Sequence, residues 1–215
     1  MMYTIQRLKV GPMSSNAYLV SNQEKQAFLV DAGGDAKKIL NEIQNQELDL
    51  KMILNTHGHF DHIAANAEII KATGAPLYIH KQDMPALFET SLNLAGYFAS
   101  TFQSVDNALP LNHDQRIAFG SDEIIVLHTP GHTPGGVCYL LADHLFTGDT
   151  LFAGTVGRTD LVGGNMQQLL QSIAEKIMKL PDTTKIWPGH QEGSDLGRER
   201  ATNPWIKKAL ALQKT

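Results

Sequence analysis

The chain has 215 residues, 42% of them hydrophobic and 19% charged, with a formal net charge of −4. That length suits a single α/β domain with a sizeable core, and the acidic balance argues against a nucleic-acid-binding surface, which usually shows a basic excess. The single cysteine excludes an internal disulfide, and neither a signal-peptide core nor a run of membrane-spanning length is visible, so a cytoplasmic protein is expected.

Residues 3–10 partly alternate apolar and polar and predict an edge strand. After Gly11-Pro12, residues 17–20 and 27–30 predict a hairpin around the polar Asn22-Gln23-Glu24-Lys25. Asp31 ends the second of these strands beside Ala32-Gly33-Gly34, which makes its carboxylate a candidate site residue. Asp35 is expected to cap a helix whose apolar positions are Ile39, Leu40 and Ile43.

The apolar run 52–54 reads as a buried strand that delivers Thr56-His57-Gly58-His59-Phe60-Asp61-His62. His57, His59, Asp61 and His62 are imidazole and carboxylate donors, the set that zinc and iron favour. Residues 63–73 then predict a helix stopped by Gly74, and Pro76 opens a strand over 77–79. This strand–loop–helix–strand rhythm implies a sheet covered by helices, with the ligands at strand ends.

From 81 to 107 the pattern weakens. Phe88, Leu92, Leu94, Tyr97, Phe98 and Phe102 are expected either in a helical packing layer or in a mobile cover that offers apolar substrate contacts. Strand-like runs resume at 116–119, 124–128, 137–141 and 144–147, with Cys138 read as a buried strand thiol. Met166, Leu169, Leu170, Ile173, Ile177 and Leu180 form one helical stripe, read as core. Residues 185–187 predict the last strand, and a closing helix follows with Pro204 near its start or at a break. Gly131-His132, Gly148-Asp149 and Gly189-His190 each set a glycine before a further potential ligand. Seven donors exceed what one ion takes and suit two ions sharing a carboxylate.

His-x-His-x-Asp-His, followed by a lone His, a lone Asp and a lone His at long spacings, resembles the metallo-β-lactamase-fold hydrolases. Within that superfamily, Gly148-Asp149-Thr150-Leu151-Phe152 and then Gly157-Arg158-Thr159-Asp160 resemble the glyoxalase II (hydroxyacylglutathione hydrolase) branch, above all its short single-domain members, over about residues 31–204. The resemblance implies an αββα sandwich, two mixed sheets flanked by helices, as one domain over 1–215. It assigns His57, His59 and His132 to one metal, Asp61, His62 and His190 to a second, and Asp149 to a bridge between them. Asp61 would also orient the bridging water or accept its proton, and Asp31 would support the ligands without being one. Two Zn2+ per chain are the expected cofactors, with iron or manganese as alternatives.

Two divalent ions carry +4, and Asp61, Asp149 and a hydroxide each remove one, which leaves about +1 at such a centre. That charge favours anionic substrates, and metal-bound water ionises near pH ~7. A thiolate, with a thiol pKa of ~8.5, leaves without strong acid assistance. The expected reaction is hydrolysis of a thioester such as S-lactoylglutathione to a hydroxy acid and a thiol. The alternatives are an Fe(II) persulfide dioxygenase with iron on His57, His132 and Asp149, and a catalytically idle metal-binding protein. A β-lactamase ranks low, because His62 stands where many such enzymes depart from the pattern and Cys138 is at no ligand position.

The expected partner is a small-molecule thioester, glutathione conjugates included, with no nucleic acid and no membrane; the oligomeric state is not legible. Full-length glyoxalase II carries a helical C-terminal domain with much of its glutathione site; here 25 residues follow His190, so those contacts are expected to be absent or replaced. Arg198, Arg200, Lys207 and Lys208 offer either anion contacts or a solvated helix face. Arg158 is expected to anchor its loop through Asp160 in preference to holding a substrate carboxylate. His128 reads as core or support, His80 as structural, and His113 and His144 as loop residues.

Overall fold

The computed structural model describes residues 3–98 and 101–212. They fall into two compact units that divide between Leu111 and Asn112.

The first unit is built on one six-stranded mixed sheet in the order β1-β2-β3-β4-β5-β6. β1 (Thr4–Val10), β2 (Ser15–Ser21) and β3 (Gln26–Val30) form an antiparallel meander with β1 at the edge. β2 is buried at every position, as expected of a strand covered on both faces. Helix α1 (Ala36–Asn45) carries the chain from β3 to the parallel strand β4 (Asp49–Leu54), burying Ala36, Ile39 and Ile43 at helical spacing. Asp35 stands at the N-cap position of α1 but does not cap it through its side chain. It adopts a left-handed conformation (φ 49°), and its Oδ2 instead accepts the Gly11 N–H at 3.0 Å.

The helix expected over 63–73 is two pieces, α2 (Phe60–Ile63) and α3 (Asn66–Thr73), and Gly74 ends the second in a left-handed conformation. β5 (Leu77–His80) and β6 (Leu109–Leu111) extend the parallel half of the sheet. β6 went unpredicted because three residues around a proline carry no periodicity. Between them lie the one-turn helix Met84–Leu87, α4 (Thr90–Asn93) and α5 (Ala95–Phe98). The helical character agrees with the packing-layer expectation, but the large aromatics do not. Phe88, Tyr97 and Phe98 are 45%, 79% and 56% exposed, while Ala86, Leu87 and Ala95 are buried. Phe102 does pack on the core, crossing Phe60 with ring centroids 6.5 Å apart. Residues 99 and 100 of this segment lie outside the described residues.

The second unit holds a six-stranded mixed sheet in the order β14-β13-β10-β9-β8-β7. β7 (Arg116–Phe119), β8 (Asp122–His128), β9 (Val137–Leu141) and β10 (His144–Gly148) run antiparallel as a meander. The hairpin β11 (Leu151–Phe152) and β12 (Thr155–Val156) follows. Helix α6 (Met166–Ser172), capped by Asn165 Oδ1 on the Gln168 N–H, continues through a wider turn to Ile177. Leu169, Leu170, Ile173 and Ile177 of the stripe are buried against Cys138, Leu145 and Ile186, with Met166 and Leu180 partly buried alongside. β13 (Lys185–Pro188) lies parallel to β10, and β14 (Ser194–Asp195) takes the edge. The closing segment is two helices, α7 (Leu196–Thr202) and α8 (Pro204–Leu212), broken at Asn203 where Pro204 opens the second. His144, expected in a loop, begins β10 and accepts the Trp187 indole N–H at 3.1 Å. No helix among the described residues is long and apolar enough to cross a membrane.

Candidate metal centre

In the first unit the ligand stretch leaves the carboxyl end of β4 and runs directly into α2, which brings four donors within six residues of one another. His59 occupies the N-cap position in extended conformation, and its carbonyl accepts the His62 N–H at 2.9 Å. His57 and His59 cross edge to face with ring centroids 4.8 Å apart, and His57 and His62 lie 4.2 Å apart. Asp61 Oδ2 is 3.5 Å from His62 Nε2. All four residues are buried. Ser15 of β2 donates its hydroxyl to the Asp61 carbonyl at 2.6 Å, which ties the loop to the sheet.

Asp31 is the anchor beneath them. It is buried in the left-handed region (φ 57°) and accepts from Thr56 N (2.7 Å), Thr56 Oγ1 (2.7 Å) and His62 Nδ1 (2.9 Å). The Thr56 hydroxyl has one proton and gives it to Asp31. Its oxygen, 3.0 Å from His57 Nδ1, therefore accepts the proton of that ring nitrogen. Both His57 and His62 thus carry their proton on Nδ1 and present a buried Nε2 lone pair. This is the arrangement that orients imidazoles for metal ligation.

In the second unit the donors sit at strand ends in the same way. His132 follows β8, Asp149 follows β10 and His190 follows β13. Gly189 N donates to Gly148 O at 2.8 Å, which sets the ends of the two parallel strands side by side. Asp149 Oδ2 lies 3.6 Å from His132 Nε2 and 3.8 Å from His190 Nε2, so one carboxylate oxygen is shared between two imidazoles. His132 donates Nδ1–H to the Arg158 carbonyl at 2.7 Å, which again leaves Nε2 as the lone pair. Gly157 is required here, because a Cβ on it would stand 1.8 Å from the Asp149 carbonyl oxygen. The His132 loop is pinned to α6 by Asn165 N–H to Gly131 O (2.7 Å) and by the Ser172 hydroxyl to Pro130 O (2.8 Å).

Arg158 takes the anchoring role expected of it. Its guanidinium forks onto Asp160 at 2.7 and 2.8 Å, and that contact holds the Asp160 carboxyl down to about 2. Arg200 acts as a structural clamp, reaching Asp182, Met178 O and Leu180 O. Lys208 lies over the Trp205 ring at 4.2 Å. His128 Nε2 meets Pro134 O at 3.0 Å, a supporting contact within the His132 loop.

Two supports were missed in the sequence. Glu199 is completely buried and accepts from Gly154 N (2.7 Å), Ser194 Oγ (2.6 Å) and Asn203 Nδ2 (2.9 Å), which ties the hairpin after Asp149 and the strand after His190 to α7. Set between Arg198 and Arg200, it reads as one charge among several on a solvated helix face. Asp83 is the other, and only the fold brings it to the ligand stretch.

The model of the metallo-β-lactamase superfamily matches residues 10–190. The chain belongs to this superfamily. It is 38% identical over 206 residues to the probable metallo-hydrolase YqgX of Bacillus subtilis, covering 93% of this chain and 96% of that one. It is 32% identical over 208 residues to the hydroxyacylglutathione hydrolase GloC of Haemophilus influenzae, covering 94% and 97%. Among solved structures, the B3 metallo-β-lactamase BLEG-1 is similar with a TM-score of 0.89 at 34% identity, covering 95% of this chain and 99% of that one. TTHA1623 in a di-iron-bound form is similar with a TM-score of 0.85 at 36% identity, covering 93% and 99%. The fold is the superfamily's, two mixed β-sheets flanked by helices. Family and relatives' names support a hydrolase, and the histidine and aspartate clusters point to a dinuclear metal site.

Proposed function

We propose that this chain is a cytoplasmic thioester hydrolase of the hydroxyacylglutathione hydrolase kind, acting as one domain over residues 1–215. The observation that carries the reading is the orientation of the imidazoles: His57, His62 and His132 each have Nδ1 held by an oxygen, so each turns an Nε2 lone pair toward ligation. The donor set fits borderline and hard divalent cations, and it contains no thiolate.

In this reading His57, His59 and His132 hold one cation, Asp61, His62 and His190 hold a second, and Asp149 is shared. The sharing is supported by Asp149 Oδ2 standing near two imidazole nitrogens. Bound there, two cations such as Zn2+ supply Lewis acidity and a hydroxide nucleophile at neutral pH. Asp61 would orient the bridging water or accept its proton. Asp31 and Thr56 keep the histidine tautomers fixed, so no reorganisation is needed as charge develops on the substrate oxygen. With Asp61 and Asp149 as the carboxylates that offset +4, the centre stays cationic and favours anionic acyl donors such as a glutathione thioester. A thiolate leaving group requires no general acid.

A second reading, lactam hydrolysis, is favoured by the likeness to a structure named as a B3 metallo-β-lactamase. An amide nitrogen is a far poorer leaving group than a thiolate, which ranks it second. Elemental analysis of protein purified without added metal, run beside an S-lactoylglutathione, glutathione persulfide and cephalosporin panel, decides among them. Two metal equivalents and preferred turnover of the thioester are expected. One iron with oxygen uptake on the persulfide, or preferred turnover of the cephalosporin, would overturn the reading.

A further inference from the structure

The glycine at the centre of the ligand stretch is held by a carboxylate from a distant part of the same unit. Asp83, buried just before the one-turn helix Met84–Leu87, accepts the Gly58 N–H on Oδ2 at 2.9 Å. Gly58 lies between His57 and His59. A Cβ on Gly58 would stand 2.4 Å from Ala86 Cβ and 3.2 Å from the Asp83 carbonyl oxygen, so the peptide lies directly against this turn. The other anchors act elsewhere: Asp31 and Thr56 hold the Nδ1 atoms of His62 and His57, and Ser15 holds the Asp61 carbonyl. The edge-to-face crossing of His57 and His59, at 88°, depends on the torsions on either side of Gly58. Glycine is the residue with the widest torsional freedom, so a loop with glycine at this point needs an external hold.

We propose that Asp83 is a positioning residue of the metal centre. By accepting the Gly58 N–H it keeps the two flanking imidazoles at the separation and angle that ligation requires. A backbone N–H on an ionised carboxylate belongs to the stronger class of hydrogen bond, and Ala86 supplies the steric half of the same clamp. The proposal rests on the assignment of His57 and His59 as metal ligands made under Proposed function.

The test uses the full chain with Asp83→Ala and Asp83→Asn, each shown to be folded by circular dichroism and thermal unfolding. Metal-free protein is titrated with Co(II), followed by visible absorption and by competition with a chromophoric chelator. Hydrogen exchange of the Gly58 amide is measured without metal. Asp83→Ala is expected to weaken Co(II) binding ~10- to 100-fold, to alter the absorption envelope and to speed Gly58 exchange. Asp83→Asn keeps an acceptor oxygen and is expected to retain most of the affinity and the wild-type spectrum. A folded alanine variant with wild-type affinity, spectrum and Gly58 exchange overturns the proposal. Equal losses in both variants also overturn it, since charge and not the hydrogen bond would then be the cause. If alanine does not fold, Asp83→Glu moves the acceptor while keeping the charge, and undiminished Co(II) affinity there is the overturning result. Wild-type protein that takes up no Co(II) sinks the ligand assignment itself, whereas wild-type uptake with an unaffected Asp83→Ala sinks the positioning role alone.

Discussion

His62 Nδ1 lies 2.9 Å from Asp31 Oδ2, with both side chains buried. That contact makes Asp31 a support that decides which nitrogen of His62 faces outward, although Asp31 itself sits at the end of β3. The same carboxylate takes both the backbone and the hydroxyl proton of Thr56. Its left-handed backbone conformation is uncommon for a residue with a side chain and is held by these bonds.

Replacing Asp31 with alanine removes three buried acceptor contacts at once. Unfolding in urea is expected to show a loss of about 3–5 kcal/mol, and Co(II) affinity of the folded fraction should fall ~10-fold or more. Wild-type affinity in Asp31→Ala would show that the tautomers need no such anchor.

Asp149→Asn is nearly isosteric and removes the charge from the oxygen that stands near His132 and His190. Elemental analysis should find most of the metal gone, and thioester turnover should fall with it. His80→Ala should retain both, because His80 is buried at the end of β5 with Nδ1 accepting the Gln82 N–H. Full metal content in the asparagine variant would end the bridging assignment.

The Arg158 fork holds the Asp160 carboxyl at about 2, below its free value of ~3.9. A depressed carboxylate keeps its contact above the free value and loses it as pH falls through about 2. NMR titration of the Asp160 carboxyl carbon should show this midpoint, and Arg158→Ala should return it to ~3.9. An unmoved midpoint would mean the fork does not persist in solution.

Burial pushes the Cys138 thiol up to about 11. Since the unfolded thiol titrates near ~8.5, the sign is that of a raised group: its contribution to stability is complete below that value and is lost as pH rises through about 11. Native protein should leave a thiol-specific disulfide reagent unconsumed near neutral pH and react stoichiometrically once unfolded. Rapid reaction of the native thiol would place it at the surface.

The strands were largely legible because β2, β3, β4, β9 and β10 are apolar runs bounded by turn residues. The 81–107 segment was not, since its helices are single turns and its aromatics divide between core and solvent: Phe102 packs inward while Tyr97 is 79% exposed. Asp35 looked like a helix cap from its spacing, but a backbone amide far away in the chain, that of Gly11, claims its carboxylate. Glu199 carried no outward sign of burial, because a single glutamate in a charged helix reads as solvated until its three donors are seen.

By itself the sequence determined the inventory of donors and their place at the ends of strands, since ligand chemistry and apolar periodicity are properties of short stretches. Only the tertiary structure decided which lone pair His62 and His132 present. A tautomer is set by the partner of the other ring nitrogen, and those partners, Asp31 for His62 and the Arg158 carbonyl for His132, stand 31 and 26 residues away along the chain.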